Sequence, residues 1–235
     1  DLELVTMENV PDVTKHEVYH DFVAALERQG YFVWADRVPC IEYGLPQHRR
    51  RHVLLASKLG PISLITKTHE GKPVTVEDAI GHFPRLAAGE CDPKDPLHRS
   101  ASLTPVNLKR IIYSRPGGTW KDWPTDLRAL CHQKDSGKTY PSVYGRMRWE
   151  EPGPTMTTLC YGFGNGRFGH PEQNRAISLR EAATLQSFPI DYEFMPVDKI
   201  NFKSVGRMIG NAVPVRLGEV IGISLKRHLE QLQKV

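Results

Sequence analysis

The chain reads as an α/β protein carrying a second, loop-rich lobe, and three observations lead there. Residues 2–7 hold Leu2, Leu4, Val5 and Met7 in a nearly continuous apolar run, as in a strand buried on both faces of a parallel sheet. A helical stripe up to Gly30 is followed by two β-like runs. Between residues 58 and 174 prolines and glycines become frequent, apolar runs shorten and helical periodicity fades.

Taken in order, the first strand should deliver Glu8 to its carboxyl end, where open α/β sheets bind ligands. A carboxylate there can grip or protonate a substrate, or can simply be solvated. Thr14 and Glu17 form a capping-box pattern, with Val13 placed to staple onto Val18. The helix that follows carries Val18, Phe22 and Leu26 on one stripe, and Gly30 suits the left-handed residue beyond its end. Residues 31–38 and 51–57 are the next strands, with an irregular turn between them. That turn carries Gln47, His48, Arg49, Arg50 and Arg51, which is either a solvated basic patch or a set of guanidinium forks for phosphates and base edges.

In the loop-rich lobe, residues 114–120 and 161–167 are glycine-rich and carry aromatic and basic side chains. Neither is a phosphate-binding P-loop, because no Gly-Lys-Ser/Thr ending precedes a helix. Regular helix returns with a capping box at Ser178 and Glu181, running to about Ser187. Residues 209–214 read as a tight turn before a last helix over residues 214–233, in which Leu217, Val220, Ile221, Leu225, Leu229 and Leu232 recur at helical spacing.

At 235 residues with 40% hydrophobic and 25% charged content, the composition is that of an ordinary globular protein. No run suggests a membrane span or signal peptide, so a cytoplasmic, nucleoid-associated protein is expected. Cys40, Cys91, Cys131 and Cys160 are widely separated, without the spacing of a disulfide framework or a zinc site. A net charge of +4 and a pI near 8.8 admit a polyanionic partner without demanding one.

The ordered set Glu8-Asn9-Val10, Gly44-Leu45-Pro46-Gln47-His48-Arg49-Arg50-Arg51, Arg180-Glu181-Ala182 with Gln186-Ser187-Phe188-Pro189, and Gly210-Asn211-Ala212-Val213-Pro214 resembles the DNA (cytosine-5)-methyltransferase family, at its motifs six, eight, nine and ten. Residues 145–158 and Gly169-His170-Pro171 also resemble its bacterial branch. The resemblance implies part of a Rossmann-like, S-adenosylmethionine-dependent methyltransferase sheet over residues 1–57 and 175–235. It implies a small, mainly β target-recognition domain over residues 58–174.

It further implies roles. A target cytosine is flipped from duplex DNA, a cysteine thiolate adds to carbon 6, and carbon 5 takes the methyl group. Glu8 would hold the flipped base near N3, with Arg49 and Arg51 as its catalytic companions. Asn9 and Gln47 would touch the substrate, Asn211, Ala212 and Val213 would close over the methyl donor, and Arg180 and Glu181 would be architectural. Arg146, Arg148, Thr157 and Thr158 are the candidate DNA contacts of the lobe. The glycine-rich donor loop and the Pro-Cys nucleophile of the family have no counterpart among these residues; Pro39-Cys40 lies after Glu8 and matches a non-catalytic position. The expectation is therefore a carboxyl-terminal part, inactive alone, whose partners are double-stranded DNA, the amino-terminal part of the enzyme and a cognate restriction endonuclease. A non-catalytic, sequence-specific DNA-binding subunit is the second reading.

Overall fold

A computed structural model describes residues 2–134 and 139–233. The chain divides into two compact units, Asp1–Pro73 with Val213–Val235, and Val74–Ala212. These limits differ from those expected at residues 57 and 174. Residues 58–73 stay with the first unit because Ile62, Leu64 and Ile65 pack into its core. Residues 175–212 join the second because Leu179, Ala182, Leu185, Val205 and Ile209 share a core with Val76, Ile80, Leu97, Met147 and Met156.

The first unit is built on a three-stranded sheet. Strands β1 (Leu4–Asn9), β2 (Phe32–Pro39) and β3 (Arg50–Ser57) lie in the order β1-β3-β2, both pairings antiparallel. The parallel, doubly buried strand expected at residues 2–7 is thus a half-buried strand at the sheet edge, while β3 takes the centre with Val53, Leu54, Leu55 and Ala56 fully buried. Alternation along β3 sends its two sets of side chains to opposite faces. Leu54 and Ala56 pack with Leu26 and Tyr31 of the α1 side, and Val53 and Leu55 pack with Leu45, Ile62, Leu217 and Val220.

Helix α1 (Glu17–Arg28) is entered from a 3-10 turn, Pro11–Lys15, and its N-cap is His16 without a side-chain cap. The expected Thr14 box does not form, because the Thr14 hydroxyl donates back to Pro11 O at 3.2 Å. The buried stripe is Tyr19, Val23 and Leu26, not Val18 and Phe22, which are exposed; Tyr19 Oη also meets His52 Nε2 at 2.8 Å. The helix closes as expected at Gly30, with φ +84°. Gly30 N donates to Glu27 O and Tyr31 N to Leu26 O, the paired bonds of a Schellman ending.

In the second unit the described residues form helices α2 (Val76–Ile80), α3 (Pro105–Tyr113), α4 (Leu130–Gln133), α5 (Leu179–Leu185) and α6 (Phe202–Asn211). The mainly β lobe expected here is reduced, among the described residues, to isolated bridges: Cys91 with Arg99, Pro116 with Arg146, Arg146 with Gly169, and Gly169 with Ala176. Proline lacks the ladder donor and glycine weakens strands, so the texture that marked the lobe also keeps its ladders short. Ser178 and Glu181 form the expected capping box on α5. Residues 202–211, expected in part as a turn, are the helix α6, started by Asn201 Oδ1 accepting from Ser204 N at 2.8 Å.

Helix α7 (Val215–Leu232) returns the chain to the first unit. Residues 202–232 are long and apolar enough to cross a membrane by length and composition, at a mean hydropathy of 1.2. They are nonetheless two helices broken before Pro214, and α7 buries Leu217 and Val220 in the core beneath β3.

Candidate functional site

Strand register explains how Glu8 finds its neighbour. Glu8 lies opposite Val53, and Arg51 stands two residues from Val53 on β3, so the two side chains share a face as diagonal neighbours. Glu8 Oε1 lies 2.7 Å from Arg51 Nε, with both side chains about five-sixths buried. That oxygen accepts no hydrogen bond, since the Nε–H is not aimed at it. The contact is charge against charge, with Oε1 itself buried.

Arg49 and Gln47 complete this corner. Both are buried, Gln47 at 0% and Arg49 at 2% exposure. The loop holding them is set by main-chain bonds from Cys40 N to Arg49 O at 2.9 Å, Arg49 N to Gln47 O at 2.8 Å and Gln47 N to Leu45 O at 2.8 Å. Its turn needs Gly44, whose φ is +90° and where a Cβ would stand 2.7 Å from the His69 ring. Burial, with Arg51 alongside, lowers the Arg49 pKa to about 10. Burial pushes the Cys40 thiol up to about 11, so it is held protonated and is a poor nucleophile despite the arginines nearby. Asn9, the last residue of β1, is exposed, and its Oδ1 accepts from Val10 N at 2.8 Å.

In the second unit Arg146 turns inward, although it was expected on the DNA face. It is 4% exposed and donates to Ile111 O, Ser114 O, His170 O, Gln173 O and Asn174 Oδ1, which ties three segments together. Burial lowers its pKa to about 10. Arg148 and Thr157 remain exposed and Thr158 is half-buried. Arg148 pairs with Glu151 at 2.8 Å.

Glu181 is wholly buried and takes both nitrogens of Arg175 at 2.7 Å together with Ser178 N at 2.7 Å. Arg180 grips Asp95 through Nε at 2.6 Å and Nη2 at 3.0 Å. Their polar atoms are used up inside the unit, as architectural residues require. Sequence reasoning named His170 only within the Gly169-His170-Pro171 resemblance and missed Gln173 and Arg175; Arg175 and His170 meet Glu181, and Gln173 Oε1 accepts from Arg175 Nε at 2.9 Å.

Asn211 ends α6 with an exposed side chain, beside Ser204, Arg207 and Met208 in an open depression of about 370 Å³. The Ala212 main chain is already engaged, its N donating to Met208 O at 3.1 Å and its O accepting from Gln186 Nε2 at 2.9 Å. Val213 is 44% exposed.

The sequence pattern of the C-5 cytosine-specific DNA methylases matches residues 3–227. The chain belongs to the C-5 cytosine-specific DNA methylase family. It is 51% identical over 236 aligned residues to the type II methylase M.HgiDII of Herpetosiphon aurantiacus, covering 99% of this chain and 67% of that protein. It is 30% identical to the type II methyltransferase M1.BsuMI of Bacillus subtilis, covering 93% of this chain and 50% of that protein. The chain thus spans between half and two thirds of the length of these two relatives. The fold resembles Spodoptera frugiperda DNMT2, with a TM-score of 0.60 at 16% identity over 95% of this chain and 67% of that one. As a C-5 cytosine methylase chain, it has its paired Glu8 and Arg51 in the first unit and its Arg146 and Glu181 hubs in the second.

Proposed function

We propose that this chain provides the base-holding half of a DNA cytosine-5 methyltransferase site. The observation that carries the reading is the Glu8 carboxylate near the end of β1, held 2.7 Å from Arg51 with its side chain about one-sixth exposed. A cytosine flipped from the duplex presents N3 and its exocyclic amine, and a carboxyl group grips that edge. Once it carries a proton, the Glu8 carboxyl donates it toward N3, which lowers the charge that would build up on the ring when a thiolate adds at carbon 6. Arg51 holds the carboxylate in place at short range. Arg49 and Gln47 stand behind it, and Asn9 marks the exposed end of the same strand.

S-adenosylmethionine, when bound, supplies the methyl group. The fit of these residues to it is partial: the Asn211 carboxamide is exposed and free to bind, whereas the Ala212 main chain is occupied, leaving Val213 as an apolar neighbour in sequence. The nucleophile is assigned outside these residues, since Cys40 and Cys160 are buried with thiol pKa values raised to about 11 and about 12. Cys91 follows Glu90 and Cys131 follows Leu130, so neither stands in the family's Pro-Cys pair.

On this reading the chain needs the amino-terminal part of the enzyme to turn over. Arg148, Thr157 and Thr158 face DNA while Arg146 holds their scaffold. A restriction endonuclease is the matching partner, and the bacterial cytoplasm the matching compartment. The test is transfer of a labelled methyl group to duplex DNA and to transfer RNA, by the chain alone and after adding the amino-terminal part of M.HgiDII. Methylation of cytosine in duplex DNA only in the completed protein is expected. Robust transfer by the chain alone would overturn the divided site, and binding without transfer in the completed protein would overturn the enzyme.

A further inference from the structure

The turn at Gly117 gathers positive charge from three separate segments. Main-chain bridges lay Pro116 beside Arg146 and Arg146 beside Gly169, and Gly117 N donates to Arg146 O at 3.1 Å. Gly117 has φ +71°, and a Cβ there would sit 1.9 Å from Arg148 Nε and 2.6 Å from its Cζ, so the guanidinium lies directly against the bare α-carbon. Arg167 reaches the same turn from the other side, its Nη1 donating to Gly118 O at 2.7 Å and Arg146 O at 3.3 Å. Its Nε and Nη2 donate to nothing among the described residues. Arg115, directly before Pro116, is exposed and its side chain is likewise without a partner among them.

Two carboxylates share the turn with these side chains: Glu151, half-exposed, pairs with Arg148 at 2.8 Å, and Asp122 Oδ2 stands by Gly118, where it accepts from Thr119 N at 2.8 Å. Placing Arg148 and Arg167 together is unfavourable on its own, and the Arg148 charge, after burial, lowers the Arg167 pKa. A fold that holds like charges at one glycine turn recovers that cost when an anion bridges them. The three arginines outnumber the two carboxylates at the turn, and guanidinium forks match phosphate oxygens two at a time.

We propose that Arg115, Arg148 and Arg167 form a phosphate-binding site around the Gly117 turn, which takes the backbone of duplex DNA and sets the register of this unit on it. The site rests on the DNA-methylase reading above, and assigns these arginines to positioning and not to base recognition. Arg146 acts beneath it as the residue that fixes the spacing of the three segments.

Binding of the full-length protein to a labelled cognate duplex and to an unrelated duplex, across a salt series, tests the assignment. In R115Q and R148Q the slope of log K against log salt should become shallower by about 0.9 for each phosphate no longer neutralised, with both duplexes weakened alike. Arg167→Lys keeps the charge and a donor for Gly118 O, and should retain most of the slope, whereas R167Q with an unchanged melting curve should lose it. An unchanged slope in R115Q and R148Q, or a loss confined to the cognate duplex, would overturn the site. Arg28→Gln, at an exposed arginine in the last turn of α1, serves as the control for lost charge and is expected to keep the wild-type slope. If the slope changes as expected in a protein that methylates nothing, the phosphate site stands and the enzymatic reading falls.

Discussion

Glu8 and Arg51 sit on adjacent antiparallel strands as diagonal neighbours, 2.7 Å apart, and Glu8 Oε1 still accepts no hydrogen bond. If the Glu8 carboxyl serves the base edge, Glu8→Gln should lower the rate of methyl transfer in the completed enzyme by roughly 10²- to 10⁴-fold, the usual worth of a positioned acid. Affinity for duplex DNA should change little. Single-turnover methyl incorporation beside a binding titration checks both, and a rate within threefold or so of wild type would remove Glu8 from the chemistry.

Arg146 is a different kind of arginine. Its donors serve four main-chain carbonyls and the Asn174 side chain in a buried setting, so truncation leaves several acceptors without partners. At about 1–3 kcal/mol for each buried group left unsatisfied, Arg146→Ala should cost about 3 kcal/mol or more. Urea unfolding measures it; a loss under about 1 kcal/mol would mean that water takes over the carbonyls.

Gly210 is required for a reason separate from any contact with ligand. A Cβ at this position of α6 would stand 2.3 Å from Thr157 C and Thr158 N, and that obstacle is main chain, which cannot swing aside. Gly210→Ala should destabilise the protein by about 1–3 kcal/mol, as overpacking does. It should also perturb amide shifts at Thr157 and Thr158, whereas Gly218→Ala, with nothing within 4 Å, should do neither.

His170 links stability to pH. Its Nδ1 accepts from Glu172 N at 3.1 Å and Gln173 N at 2.9 Å, which only the neutral ring can do. Burial lowers its pKa from 6.5 to about 4, with Arg175 and Arg146 also opposing the charge and Glu181 favouring it. Between those values the unfolded chain binds the proton and the folded one does not, so stability is complete above pH 6.5 and falls as pH drops toward 4. Glu181, held below the usual carboxylate range by Arg175 against the effect of burial, loses its contribution at still lower pH. Melting temperature against pH should show this decline, and His170→Asn should flatten it above pH 4 or so while lowering stability at neutral pH.

The sequence by itself determined the elements whose signals are local. The Gly30 ending, the two strands around the arginine loop, the Ser178 and Glu181 cap and the long apolar face of α7 each depend on residues a few positions apart, and each formed. The order of the four motifs was also legible, because residue identities survive without coordinates. Only the tertiary structure decided what those residues touch. A continuous apolar run looks the same in a central parallel strand and in an edge antiparallel one, so the place of β1 followed from β3 claiming the centre. An arginine looks the same on a surface and in a core; Arg146 was settled by carbonyls up to 35 positions away, and Arg148 by the bare α-carbon of Gly117. Burial and partnership are set by distant segments brought together, and neither periodicity nor composition records that meeting.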